Sequence, residues 1–201
     1  DADGVPHKGA TIDLGPKCGP AQFCPPNILR VRGQTEEAIV LFRKASDLLP
    51  TDPNPLNALA WQLATCPEPE LRDHAQALAL AKKVVELSLR QGDDRDKAGL
   101  DRLGNYWNTL GVAHYRAGNM EDAIAALRKS EDIGHGSDSV YLCEDGFFLA
   151  LANWKLDRKG EARRWYDRAV ALMNEKHSTD EELIRFRAEA SELLGVANSD
   201  G

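Results

Sequence analysis

Four stretches of this chain carry one spacing of small and large side chains, and any fold must account for all four. In 115–130, YRAGNMEDAIAALRKS, an aromatic opens the block and Ala123, Leu127 and Ser130 follow. In 154–169, WKLDRKGEARRWYDRA, Trp154 is followed by Ala162, Tyr166 and Ala169 at the same intervals. Ala38, Phe42, Ala45 and Pro50 sit on that grid within 30–50, and Ala77, Ala81 and Val84 sit on it within 74–87. The anchoring alanines Ala38, Ala77, Ala123 and Ala162 are 39, 46 and 39 residues apart, which reads as one repeat plus a loop of variable length.

The physical content of the grid is helix-on-helix packing. Small residues seven apart with a bulky one between them share one helical face. The small side chains let a neighbouring helix come close, and the bulky one fills the space between the two. The segments before each block, such as LNALAWQLA (56–64) and YWNTLGVAHYRAG (106–118), also space their apolar residues as amphipathic helices. Each unit is therefore a helix–turn–helix that buries its apolar faces only by stacking on its neighbours.

This pattern resembles the tetratricopeptide repeat (TPR), whose motif has Trp-x-x-Leu-Gly-x-x-Tyr in its first helix and Ala, Phe, Ala and Pro through its second. Trp107, Leu110 and Gly111 match the first part, with His114 where Tyr is usual and Tyr115 beside it; Gly118 marks the turn. Ala38, Phe42, Ala45 and Pro50 match the second part in full. The resemblance implies an all-α TPR-type α-solenoid, a right-handed superhelix of helix–turn–helix repeats, with a C-terminal capping helix. Across about 54–195 the chain also resembles the carboxy-terminal TPR region of large bacterial proteins in which the array follows a serine/threonine kinase or WD40 domain.

Repeat length and punctuation divide the chain. Residues 1–16 read as the remnant of an earlier repeat or a linker, since Pro16 and Pro50 are one motif apart, and 17–52 as a degenerate repeat. Pro25-Pro26 falls where its first helix should continue, and proline in a helix interior costs about 3 kcal/mol. Repeats are expected at 53–90, 104–136 and 143–177, a charged loop at 91–103, a capping helix at 178–195 and a tail at 196–201. Asp52-Pro53 reads as an N-cap with Pro at the first helical position. Asn119 with Glu121 and Asp122 starts another helix. Ser178-Thr179-Asp180-Glu181 reads as a capping box opening a last helix over about 179–194 that Gly195 stops. Leu183, Phe186, Ala190, Leu193 and Leu194 form its apolar face; Glu181, Glu182, Arg185, Arg187, Glu189 and Glu192 lie elsewhere on it. The stretches 65–73, 89–104 and 134–146 interrupt the grid and read most simply as tolerated insertions.

Composition narrows the function. The 201 residues are 42% hydrophobic and 28% charged, enough apolar content for a core, and the net charge of −7 disfavours nucleic acid and anionic membrane as partners. No apolar run reaches the length of a membrane span. With four cysteines there is no disulfide framework, and a cytoplasmic setting follows. The histidines His7, His74, His114, His135 and His177 form no HExxH or Cys/His zinc spacing, and Cys18 and Cys24 lack a second pair. Gly134-His135-Gly136-Ser137 lacks the frame of a nucleophile elbow. No catalytic residue, metal or cofactor is expected.

By resemblance, the second, fifth, ninth and twelfth motif positions line the concave groove of a TPR array. These are Asn54, Asn57 and Trp61 in one repeat, Asn105, Asn108, Val112 and Tyr115 in the next, and Glu144, Phe147, Leu151 and Trp154 in the last. Asparagine amides both donate and accept, which suits an extended peptide backbone, and Tyr and Trp are frequent hot spots. Trp61, Phe147 and Leu151 fit packing against a neighbouring helix equally well. Trp107, Leu110 and Phe148 are expected in the core. Arg30, Arg116 and Lys155 lie at or beside groove positions but do not complete the basic pattern that grips a C-terminal carboxylate. The expectation is a non-enzymatic scaffold binding a peptide or protein in its groove, with self-assembly through solenoid ends as the alternative.

Overall fold

The computed structural model describes residues 35–93, 95–133, 141–176 and 178–196. The remnant repeat at 1–16, the first helix of the degenerate repeat with Pro25-Pro26, Arg30, most of the 134–146 stretch and the tail beyond 196 lie outside the described residues.

Among the described residues there are eight α-helices and one short 3-10 turn, and no strand. The helices are α1 (Thr35–Leu48), α2 (Pro53–Thr65), α3 (His74–Gln91), α4 (Lys97–Arg116), α5 (Met120–Ile133), α6 (Tyr141–Lys155), α7 (Lys159–Glu175) and α8 (Glu181–Leu194). The boundaries follow local chemistry. Asp52 caps α2, its carboxylate accepting the Asn54 amide N–H at 2.9 Å, with Pro53 in the first turn. Gly118 turns α4 into α5 with a φ of 85°, and α8 ends where Gly195 adopts a left-handed conformation.

Packing follows chain order. α2 pairs with α3, α4 with α5 and α6 with α7; each hairpin then packs on the next through α3 with α4 and α5 with α6. The first helices of the hairpins, α2, α4 and α6, also touch in sequence and form an inner row, with α3, α5 and α7 outside. This is a staggered row of hairpins, not a bundle around one axis. The repeated small residues sit where close approach demands them: Ala38, Ala77, Ala123 and Ala162 are all fully buried. At Gly111 a Cβ would lie 2.5 Å from Cγ of Leu127, and at Gly146 one would lie 2.8 Å from Cβ of Ala169, so α4–α5 and α6–α7 close on glycine.

α6 departs from the amphipathic pattern. It is buried from Cys143 to Asn153, on every side. The covering comes from α8, which packs on α6 and α7 and lies across the inner face of the row. Phe148 stands edge-on to Tyr115 at 5.5 Å and to Phe186 at 4.9 Å, and Phe186 meets Trp61 at 6.0 Å. This aromatic chain links α4, α6, α8 and α2, each contact worth about 0.5–1.5 kcal/mol beyond its buried area.

Three local expectations are corrected. The charged stretch 91–103 is not a loop throughout: α4 starts at Lys97, because the Asp96 carboxylate accepts the Gly99 amide at 2.8 Å and Leu103 is buried. The last helix is capped by Asp180 rather than Ser178, with its carboxylate accepting from Glu182 N at 2.8 Å and Leu183 N at 3.3 Å. Trp107 is half-buried against the core rather than inside it.

Candidate partner-binding groove

α2, α4 and α6 place one face of each hairpin toward a common concavity, and the start of α8 closes part of it. What remains open is a recess of about 290 Å³. Its lining comes from Phe42 of α1, Asn54, Asn57, Ala58, Trp61 and Gln62 of α2, Asn105, Tyr106, Asn108 and Thr109 of α4, Tyr141 and Glu144 of α6, and Asp180 and Glu182 at the head of α8.

Five of the eight candidate residues meet there. Asn54 is exposed; its Nδ2 donates to Asp52 at 2.9 Å and its Oδ1 accepts from the Tyr106 hydroxyl at 2.8 Å. Asn57 is buried and its Oδ1 makes no hydrogen bond. Trp61 is half-buried, its indole N–H shared between the carboxylate oxygens of Glu182 at 3.3 and 3.2 Å. Asn105 is half-buried at the rim. Asn108 is fully buried, its Nδ2 donating to Asp145 at 2.9 Å while its Oδ1 has no donor.

The other three lie elsewhere. Tyr115 is buried under the Arg116 guanidinium, 5.4 Å from its ring, and burial pushes its hydroxyl pKa up to about 12. Phe147 is fully buried against Tyr166 at 6.0 Å. Trp154 faces α7, where Lys159 lies 4.7 Å and Arg163 6.0 Å from its ring. The groove positions of the last repeat are thus consumed by packing, apart from Glu144.

The residues missed in the sequence come from α8. In sequence Glu182, Arg185 and Glu189 lie off the apolar face of the last helix and carry no groove role. Instead Glu182 accepts from Trp61 and, at 3.3 Å, from the Thr65 hydroxyl, and Arg185 donates to the Thr65 carbonyl at 2.6 Å. Glu189 holds both terminal nitrogens of Arg116, Nη2 to Oε2 at 2.7 Å. The one available signal was charge of both signs on a helix placed after the last repeat.

Titration is perturbed around the recess by burial. The Tyr106 and Tyr141 hydroxyls are raised by desolvation, and Asp145, behind Asn108, is pushed up to about 7 by burial against the opposing hydrogen bonds of Asn108 and Ser130. Among the described residues no group of three or more His, Cys, Asp or Glu side chains is placed to hold a metal ion, and no helix is long and apolar enough to cross a membrane. His7, His135, His177, Cys18 and Cys24 lie outside the described residues.

In two of the three hairpins among the described residues a first-helix glycine meets the second helix, Gly111 at Leu127 and Gly146 at Ala169. Residues 104–133 match the tetratricopeptide repeat family model. The fold is a TPR-type α-solenoid. Solved structures similar to the chain include a thermophilic TPR protein from Thermus thermophilus, at 20% identity and a TM-score of 0.43, covering 85% of this chain and 98% of that one. MamA 41-end from Desulfovibrio magneticus RS-1 is 20% identical with a TM-score of 0.33, covering 76% and 93%. PilF of Pseudomonas aeruginosa is 18% identical with a TM-score of 0.33, covering 85% and 81%. No curated protein matches the chain.

Proposed function

We propose that this chain is a non-enzymatic protein-interaction module that holds an extended peptide or partner segment in the part of its concave face left open by α8. The observation that carries the reading is the convergence of Asn54, Asn57, Trp61, Asn105 and Asn108 on one recess from two successive hairpins. Asn105 at the rim and the unbonded amide oxygens of Asn57 and Asn108 bring hydrogen-bonding groups from two adjacent helices to the recess, which an extended backbone can match. Trp61 supplies rigid contact area beside them. The module acts in the cytoplasm, where the buried free thiols of Cys66 and Cys143 stay reduced, and serves as the adaptor region of a larger bacterial signalling protein.

A random-peptide selection against the whole chain tests the groove, with Ala58→Arg as the blocked control, since Ala58 lines the recess and is only half-buried. Enrichment of peptides that bind the parent chain and lose binding to Ala58→Arg at unchanged helicity supports the reading. Peptides that bind both chains equally contradict it.

A further inference from the structure

We propose that the recess takes the guanidinium of an arginine side chain presented by the bound peptide, an inference that rests on the groove reading and narrows the partner class. The first ground is an unmet demand for donors. Oδ1 of Asn57, Oε1 of Gln62 and Oδ1 of Asn108 make no hydrogen bond, in residues that are 8%, 2% and 0% exposed. All three residues line the recess. The Asn108 amide is oriented by its Nδ2 bond to Asp145, which leaves its oxygen as the free end. A buried acceptor without a donor costs about 1–3 kcal/mol, and a ligand that brings N–H groups recovers it.

The second ground is charge. Among the described residues the lining includes the carboxylates of Glu144 and Asp180, and that of Glu182, which Arg185 already pairs, and it contains no lysine or arginine. A cation is favoured there, and a peptide C-terminal carboxylate is repelled.

The third ground is shape. Trp61 and Tyr141, both half-buried, and the buried Tyr106 line the same space. A guanidinium is planar, stacks on such rings and carries five N–H donors in a fixed fork, whereas an ammonium is a compact point charge with three. The chain already uses arginine this way nearby: Arg185 bonds both the Thr65 carbonyl and Glu182, over the ring of Phe186.

The test uses the peptides selected above, each resynthesised with its arginine replaced by citrulline, the neutral isostere, and by lysine. Binding is titrated calorimetrically to the whole chain and to Glu144→Gln and Asn57→Leu, with helicity checked for each. The inference expects an arginine in every groove-dependent peptide, a loss of about tenfold to a hundredfold with citrulline, and about tenfold with either variant. Groove-dependent peptides that lack arginine, or that bind equally well with citrulline or lysine, overturn the inference while the groove reading stands. A selection in which no peptide depends on the groove overturns both.

Discussion

The indole N–H of Trp61 is bonded to the carboxylate of Glu182 across 121 residues of chain, joining the first complete hairpin to the closing helix. Thr65 and Arg185 complete the same junction, so α8 is tied to α2 at its start as well as packed on α6. Replacing Glu182 with Ala removes the acceptor shared by Trp61, Thr65 and Arg185. The expected result is a loss of about 1–3 kcal/mol in urea unfolding, with a shift in tryptophan emission as the Trp61 indole is released.

Arg116 makes the second tie. Its guanidinium holds Glu189 in a two-pronged pair and lies 5.4 Å from the Tyr115 ring and 5.2 Å from the Phe148 ring. Arg116→Ala therefore costs more than Glu189→Ala, by roughly 1 kcal/mol, because it removes ring contacts as well as the ion pair. A double-mutant cycle read by denaturant unfolding gives both values, and a coupling near zero would contradict the pairing.

The buried carboxyl of Asp145 makes stability depend on pH. Its pKa rises from 3.8 to about 7 on folding, so the folded chain holds this proton more tightly than the unfolded chain. Its contribution is most favourable below 3.8 and is lost as pH rises to about 7, by roughly 4 kcal/mol at most. Asp145→Asn, which cannot ionise, should flatten the stability profile between about pH 5 and pH 8 and raise the melting temperature at about pH 8 relative to the parent. Parallel profiles for the two proteins would contradict the assignment.

Two glycines give opposite signs on substitution. Gly111→Ala places its methyl 2.5 Å from Leu127 and should destabilise by about 1–3 kcal/mol despite the better helix propensity of alanine. Gly160→Ala, near the start of α7, meets nothing within 4 Å and should gain a few tenths of a kcal/mol or more. Thermal unfolding of the pair measures the difference.

What the sequence made legible was local. Ala123, Leu127 and Ala162 could be assigned to hairpin interiors because small and large residues at fixed spacing define a helix face without reference to anything distant. The inner-side positions of Asn54, Asn57, Asn105 and Asn108 come from the TPR resemblance, not from that spacing. Tyr115 and Phe147 also have inner-row positions, but a helix from the far end of the chain and the partner helix of the hairpin cover them. Trp154 is claimed by Lys159 and Arg163 across a turn. The ties made by the charges of α8 are not legible, because an ionised side chain next to water and one next to Arg116 look alike in sequence. Only the tertiary arrangement separates them.

The most direct measurement is a titration of the isotope-labelled chain with a selected peptide, followed through side-chain N–H resonances. The account predicts that the amides of Asn54, Asn57 and Asn105 and the indole of Trp61 shift together while the indole of Trp154 stays still. Shifts confined to Trp154 or the outer helices, with the recess amides unmoved, would contradict it.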